Sequence, residues 1–166
     1  MKILGIDPGY ATLGYGVIEF ANMRFTSLCH GAIITSPKDN FSKRLQIIFD
    51  DLYKIISTYS PDASAVEKLY FQNNHKTAID VAQARGVILL ALEKFNIPIY
   101  EYTPLQVKTA VTGYGKALKP QVMTMTKRLL RLKDMPKPDD TADALAIAIC
   151  HANSSGYRYI NKKINL

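Results

Sequence analysis

The sequence has little of what metal–thiolate, disulfide-stabilised or membrane proteins need. It has no tryptophan, two cysteines and three histidines in 166 residues, and neither the cysteines nor the histidines show the spacing of a metal site. Cys29 and Cys150 lie far apart, so both are predicted to be buried thiols in a reducing cytosol. No apolar run is long enough to span a membrane, and the N-terminal run stops at an acid, unlike a secretory signal. We therefore expect a cytoplasmic protein with no membrane attachment.

Acidic residues are also scarce relative to basic ones. The chain has 14 aspartates and glutamates against 21 lysines and arginines, which gives a formal net charge of +7. Such an excess attracts phosphate backbone with salt-dependent affinity, although charge alone is weak evidence for nucleic acid binding. With 166 residues, 48% of them hydrophobic, the chain is long enough for one domain with a sizeable core.

Hydrophobic periodicity predicts a mixed order of strands and helices. Apolar or alternating runs predict five strands, at Lys2–Asp7, 14–20, about 25–35, Ala63–Glu67 and 97–102. Helical spacing and capping residues predict five helices, at Phe41–Tyr59, about 77–95, 103–113, 120–132 and about 139–153. This order is typical of an α/β fold with a five-stranded mixed sheet, three antiparallel strands then two parallel, flanked by helices on both faces. We predict one domain at 1–154 and a basic, flexible tail at 155–166.

Two acids end predicted strands. Asp7 ends the first strand and Glu67 the fourth, and ligand sites in open α/β sheets lie at such carboxyl ends. If these two strands are parallel neighbours, both carboxylates emerge at the same sheet edge. Alternation places Asp7 on the face of Gly5 and Glu67 on the face of Ala65. Because those two residues are small, a helix could approach the sheet closely there.

Two further acids, Asp140 and Asp143, open the last predicted helix. They are three residues apart and share one side of it, which continues into apolar residues, so both should point towards the sheet edge. Clustered carboxylates repel one another, and a divalent cation removes this cost. Mg²⁺ prefers oxygen ligands, and two such ions can activate water and stabilise the leaving oxygen in phosphodiester hydrolysis. The four acids therefore indicate a magnesium-dependent enzyme that cuts a polyanion.

Each acid also has an ordinary structural interpretation. Asp7 precedes Pro-Gly and could be a turn residue, and Glu67 could end its strand in solvent. Either Asp139 or Asp140 could cap the last helix, with Asp143 favoured by the helix dipole. Spacing alone leaves open whether Asp139 or Asp140 is the ligand.

Short motifs along the chain match one known family. They are LGIDPG at 4–9, GYGVI at 14–18, VE at 66–67, AQARGV at 82–87, QVK at 106–108, KPQV at 119–122 and DTADALAIA at 140–148. They run in order from residue 2 to about 153, and together they are specific, although GIDPG alone would be weak. In these motifs the chain resembles the RuvC family of bacterial Holliday junction resolvases, within the retroviral-integrase and RNase H-like superfamily.

The resemblance implies a catalytic metal site and a substrate. It implies that two Mg²⁺ ions per subunit, for which Mn²⁺ can substitute, are held by four acids: Asp7, Glu67, Asp140 and Asp143. It also implies symmetric nicking of two opposite strands of four-way junction DNA by a homodimer, alongside the RuvA–RuvB branch-migration complex. The expected fold is RNase H-like.

Six residues are expected to contact DNA: Tyr70, Phe71, Arg85, Lys108, Lys116 and Lys119. Tyr70 falls where family members carry an aromatic that wedges or stacks at the junction centre, and Phe71 competes with it for this role. Core packing is the alternative for both rings. Lys108 and Lys119 fall on family lysines near the scissile phosphate, where a cation stabilises developing charge. Arg85 and Lys116 are expected to contact the backbone, and for any single lysine a solvated surface role remains open.

A C₂ dimer would match the approximate two-fold symmetry of a four-way junction. The apolar stretch at 87–92 is a candidate for part of its interface, and an intramolecular core helix is the alternative. Three other functions compete with the resolvase interpretation. They are an RNase H-like nuclease for another nucleic acid, a non-catalytic junction-binding module, and an actin-like or sugar-kinase-like ATP-binding lobe, which would need a second lobe.

Overall fold

The computed structural model describes the backbone at residues 1–69 and 75–164 and the side chains at 1–69 and 78–155. Within these residues the strands are β1 (Lys2–Asp7), β2 (Thr12–Ala21), β3 (Arg24–Ile34), β4 (Ala63–Glu67) and β5 (Ile99–Tyr102). The helices are α1 (Phe41–Tyr59), α2 (His75–Lys94), α3 (Pro104–Thr112), α4 (Lys119–Leu129) and α5 (Asp139–Ile164).

The strands form one mixed sheet in the order β3-β2-β1-β4-β5. β2 pairs antiparallel with both β1 and β3, whereas β4 pairs parallel with both β1 and β5. Between β1 and β4 the register aligns Gly5 with Ala65 and Ile6 with Val66. The predicted sheet of three antiparallel and two parallel strands is therefore confirmed.

Helices cover both faces of the sheet, because side chains alternate along each central strand and both sets are apolar. On one face, Leu4 and Ile6 of β1 pack with the buried stripe of α1 and with Ile88 and Leu92 of α2. On the other face, Ile3 packs with residues of α3, α4 and α5. The buried residues of this second layer include Val107, Val122, Leu145 and Ile149.

α5 lies against β1 and β2 at three glycines. A Cβ atom on Gly5 would stand 2.0 Å from the Ala144 carbonyl oxygen, and one on Gly14 would stand 1.9 Å from the Asp140 carbonyl oxygen. A Cβ on Gly16 would meet the Leu145 side chain. The expected close approach of a helix at Gly5 is confirmed, and it fixes where α5 begins relative to the ends of β1 and β4.

Element bounds differ from the predictions mainly at their ends. α2 begins at His75, two residues before the predicted start, and α5 runs to Ile164 rather than ending near Asn153. Cys150 is buried, but Cys29 is half-buried, so the prediction that both thiols are buried is wrong for Cys29. The reason is that Cys29 lies on the edge strand β3, which a neighbouring strand covers on one side alone. Among the described helices, none is both long and apolar enough to cross a membrane.

Candidate active site

Asp7 and Glu67 lie side by side at one edge of the sheet. Each is the last residue of its strand, and the parallel pairing of Ile6 with Val66 brings the two following residues together. Both side chains are half-buried on the face that α5 covers. This edge is formed by the carboxyl ends of parallel strands, where α/β sheets place their ligand sites.

The first turns of α5 bring two more carboxylates to this edge. The pKa of Asp7 is raised to about 8, first by burial and then by the negative charges of Glu67, Asp143 and Asp140. The positive charge of Lys119 opposes this rise. The four predicted acids therefore act on one another as a single electrostatic cluster.

Burial and neighbouring negative charge also raise the pKa of Glu67. Its pKa is raised to about 7, first by burial and then by the charge of Asp143, while Lys119 and Lys108 lower it. Two lysines thus face the acids from α3 and from the start of α4. A site that holds clustered acids and lysines together can bind a divalent cation and a phosphate at the same place.

Lys119 bridges two acids of α5. Its Nζ lies 2.9 Å from Asp143 Oδ2 and 3.6 Å from Asp139 Oδ2. Burial lowers the pKa of Lys119, but the hydrogen bond and charge of Asp143, together with Asp139, outweigh this and raise it. The side chain of Asp139 is largely exposed, and this residue is not among the charges that act on Asp7. The charge of Asp140 acts on Asp7, whereas Asp139 pairs with Lys119, and this difference favours Asp140 as the member of the acid cluster.

The donor set fits a hard divalent cation by its chemistry. All four acids offer carboxylate oxygens, and a bound cation would remove the repulsion that raises the pKa values of Asp7 and Glu67. Among the residues whose side chains are described, no three acid, histidine or cysteine side chains stand close enough to hold one ion as they are. Ligation would therefore require the carboxylates to converge further, and Lys119 to release Asp143 wherever that oxygen is used.

The other residues predicted to contact DNA differ in their surroundings. Lys108 is half-buried on α3, and its charge acts on Glu67. Lys116 is exposed in the loop between α3 and α4. Arg85 forms an ion pair with Glu101, so in this structure its guanidinium is engaged within the protein. The two predicted wedge residues, Tyr70 and Phe71, lie outside the described residues.

Two features escaped the sequence reasoning. Glu101 was not recognised as the partner of Arg85, although alternation along β5 places it on the sheet face that α2 covers. His151 was treated as an ordinary residue, and the structure buries it with its Nδ1 2.8 Å from the Tyr102 hydroxyl. No sequence signal pairs these two residues, because 49 positions separate them.

The sheet order and the position of the acids define the class of this protein. A five-stranded mixed sheet with acids at the ends of β1 and β4 and at the start of α5 is the architecture of an RNase H-like nuclease. A model of the family described as crossover junction endodeoxyribonuclease RuvC matches residues 3–151. The chain belongs to this family.

The sequence and fold of this chain are similar to those of related proteins along nearly its whole length. The crossover junction endodeoxyribonuclease RuvC of Petrotoga mobilis is 59% identical over 153 residues, which cover 92% of this chain and 94% of that protein. The protein of the same description in Halothermothrix orenii is 56% identical over 163 residues, covering 98% and 97%. Thermus thermophilus RuvC, solved in complex with a Holliday junction substrate, superposes with a TM-score of 0.89 at 36% identity, covering 93% and 94%.

Proposed function

We propose that this protein is a structure-specific endonuclease that resolves four-way DNA junctions by hydrolysing phosphodiester bonds. The observation that carries the proposal is the coupling of four acids and Lys119 at one sheet edge. Membership in the family of crossover junction endodeoxyribonucleases supports the reaction, and the junction-bound Thermus relative supports the substrate. These findings favour a nuclease over an ATP-binding lobe or a non-catalytic junction-binding module.

Asp7, Glu67, Asp140 and Asp143 would hold the metal. Membership in the family implies a divalent metal, and we assign two Mg²⁺ ions per subunit, with Mn²⁺ able to substitute. When bound, such ions supply an activated water and stabilise the leaving oxygen. The protein's own part is to fix four oxygen donors on three separate elements, so that the attacked phosphorus is positioned before reaction.

Lys119 and Lys108 would contact the scissile phosphate. Both act electrostatically on Glu67, so both lie near the place where the phosphate must sit. A lysine there stabilises charge that develops on the phosphate oxygens. Lys119 can do so once a cation takes over the neutralisation of Asp143, because the ion pair between them is then no longer needed.

The remaining contacts would serve junction recognition. Tyr70 and Phe71 come three and four residues after the end of β4 in the sequence, and either ring could stack at the junction centre. Lys116 is exposed and available for a phosphate. Arg85 would reach DNA by leaving Glu101, and if it stays paired its role is to hold α2 on β5.

A homodimer would place two such sites on a two-fold symmetric junction. The supporting observation is an exposed stripe on α2, formed by Ile79, Gln83, Gly86 and Leu90 at helical spacing. Ile79 and Leu90 are 68% and 57% exposed, and no described atom lies within 4 Å of a Cβ placed on Gly86. Within the predicted stretch 87–92, Ile88, Ala91 and Leu92 are buried in the subunit and are not free for a partner. The interface proposed here therefore keeps Leu90 from that stretch and extends towards the start of α2, to Ile79. We further assign the protein to the cytoplasm, beside a RuvA–RuvB branch-migration complex.

The test is cleavage of a synthetic mobile four-way junction, with linear duplex as control, in the presence and absence of Mg²⁺. We expect paired, symmetric, metal-dependent nicks in the junction alone. Asp7→Asn should reduce cleavage by at least about 10³-fold and leave junction affinity unchanged, because the residue is needed for chemistry rather than for DNA contact. Lys54→Gln, on the exposed side of α1, is the control that should cleave normally. Normal cleavage by Asp7→Asn would contradict the assignment of the site.

A further inference from the structure

A cleft of about 460 Å³ lies between the loop that follows α3 and the first turns of α4. Its lining includes Tyr114, Ala117, Pro120, Gln121 and Met125. The walls are mostly apolar and include one aromatic ring. Neither the metal site nor the phosphate contacts proposed above use these residues.

The cleft is built next to two lysines of the candidate active site in the sequence. Pro120 in its wall directly follows Lys119, whose Nζ lies 2.9 Å from Asp143. Thr112, also in the lining, is the last residue of α3, the helix that carries Lys108. Each lysine therefore lies within about one helical turn of a lining residue, so a polynucleotide whose phosphate is held by them has a neighbouring nucleotide close to the cleft.

The ring of Tyr114 has no partner among the residues whose side chains the structure describes. Its side chain is 58% exposed, and in the described part of the chain it takes part in no ring contact or side-chain hydrogen bond. Its backbone, in contrast, is fixed, because its N–H donates to Thr112 Oγ1 at 3.1 Å and its carbonyl accepts from the same hydroxyl at 3.0 Å. The Ala117 N–H also donates to that carbonyl, at 3.1 Å. A fixed backbone with an uncommitted ring is a pre-organised stacking surface.

The surroundings of Tyr114 suit a nucleotide. Leu105 lies against Gly115, and Leu118 stands in sequence between the lining residues Ala117 and Pro120. These two leucines are 62% and 68% exposed, so the surface beside the cleft includes apolar side chains. Lys116 lies between Tyr114 and Leu118 in sequence and makes no ion pair among the described residues. An aromatic ring interleaved with lysines is the pattern by which proteins hold single-stranded nucleic acid, the ring stacking on a base and the cations following the backbone.

We propose that this cleft binds the nucleobase next to the scissile phosphate, with Tyr114 stacking on its face. The inference rests on the proposed junction-cleaving function and names a further contact of the same site. The base must leave its stack to enter the cleft, and a junction offers bases that unstack more easily than those of a continuous duplex. Tyr114 thereby favours cleavage at junctions that can supply such a base.

The test is a chemical double-mutant cycle on single-turnover cleavage in Mg²⁺. The DNA is a synthetic four-way junction in which the nucleotide on either side of the mapped cut is replaced, one at a time, by an abasic site. For the wild-type protein, one of the two abasic junctions should be cut about 10-fold to 100-fold more slowly, and Tyr114→Ala should lose a similar factor on the intact junction. Because both changes remove the same contact, the combination should cost no more than either change alone.

Matched variants separate stacking from general effects. Tyr114→Phe keeps the ring and should cleave like the wild type, whereas Tyr114→Leu keeps bulk without stacking and should behave like Tyr114→Ala. Tyr53→Ala removes another exposed tyrosine, on α1 at the other face of the sheet, and should alter neither the rate nor the abasic effect. Tyr114 is exposed, so circular dichroism should show the Tyr114 variants folded.

Two failures are distinguishable. If the wild-type protein nicks the intact junction but the two effects multiply, or neither abasic site slows it, the cleft does not bind a base and the proposal is overturned. If the wild-type protein nicks no junction at all, the proposed function fails and this inference fails with it.

Discussion

The fold places Asp7 where its ionised form is unfavourable. Burial and three neighbouring carboxylates raise its pKa to about 8, and the same causes raise that of Glu67 to about 7. Positions that are costly for folding and lie together at a sheet edge are typical of functional sites rather than of core packing. At the scale of residues, the free-energy cost of ionising these buried acids is the clearest sign that they form a functional site.

This cost predicts how stability depends on pH in the metal-free protein. Both folded-state pKa values lie above the ordinary values of 3.8 and 4.5, so the stabilising contribution is present below about pH 4 and is lost as pH rises through 7 to 8. Relative to the wild type, Asp7→Asn should therefore gain stability between pH 5 and pH 8, by a few kcal/mol in order of magnitude.

The measurement is denaturant unfolding of both proteins with a chelator present, at pH 5 and at pH 8. Adding Mg²⁺ at pH 8 should stabilise the wild type more than Asp7→Asn, because the ion binds the folded cluster. A constant difference between the two proteins at both pH values would contradict the predicted coupling of Asp7 to its neighbours.

At the scale of elements, the position of α5 decides where two of the four acids stand. Its backbone touches β1 and β2 at Gly5 and Gly14, where a side chain would collide with the helix itself. A backbone cannot yield as the end of a flexible side chain can, so these contacts fix the helix on the sheet. The geometry of Asp140 and Asp143 relative to Asp7 follows from that packing.

We predict that Gly14→Ala impairs cleavage without touching any acid. Its Cβ would lie 1.9 Å from the Asp140 carbonyl oxygen, so the start of α5 must shift, and a displacement of about 1 Å can cost on the order of 100-fold in rate. Gly31→Ala is the matched control, since its Cβ would meet the end of the Tyr15 side chain, which can move. Single-turnover cleavage and thermal unfolding of both variants test this, and equal rates for the two would argue against it.

The exposed stripe of α2 gives a second prediction for an element. Leu90→Glu places a charge on this stripe, and if the stripe is the dimer interface the protein should become monomeric and lose paired nicking. Leu28→Glu, on the exposed side of β3, is a control with a similar change in charge. Light scattering coupled to size-exclusion chromatography measures the mass, and an unchanged dimer with Leu90→Glu would place the interface elsewhere.

Much of this arrangement could be predicted from the sequence, and particular residues show where prediction stops. Alternation and strand ends were sufficient to place Asp7 and Glu67 on one face, because the period of a strand is fixed. Spacing could not decide between Asp139 and Asp140 as the ligand. Their side chains point in different directions, and only the docking of α5 on the sheet determines which direction faces the other acids. The cleft at Tyr114 was likewise beyond prediction, because its shape depends on how α3 and α4 pack.

At the scale of the whole molecule, charge is divided between one acidic edge and a basic remainder. The net charge of +7 includes the acids of the cluster, so the rest of the surface is more basic than this number suggests. Such a molecule attracts DNA through many weak phosphate contacts and reserves its acids for metal.

Junction binding should therefore weaken steeply with salt. For a protein that makes several phosphate contacts, affinity falls by about 10³-fold or more between 50 mM and 200 mM salt. Titrations with Asp7→Asn, which binds without cutting, measure the slope of log affinity against log salt. Lys116→Ala should make that slope shallower by about one, and an unchanged slope would remove Lys116 from the phosphate contacts.

The order of the elements along the chain determines when the four acids can come together during synthesis. The acids at positions 7 and 67 leave the ribosome first, and the other two follow much later in α5, which docks on the glycines of β1 and β2. A chain interrupted before α5 has half of the cluster and lacks the helix that buries it. An interrupted copy of this kind therefore cannot assemble the proposed metal site, which forms only after α5 has docked on the sheet.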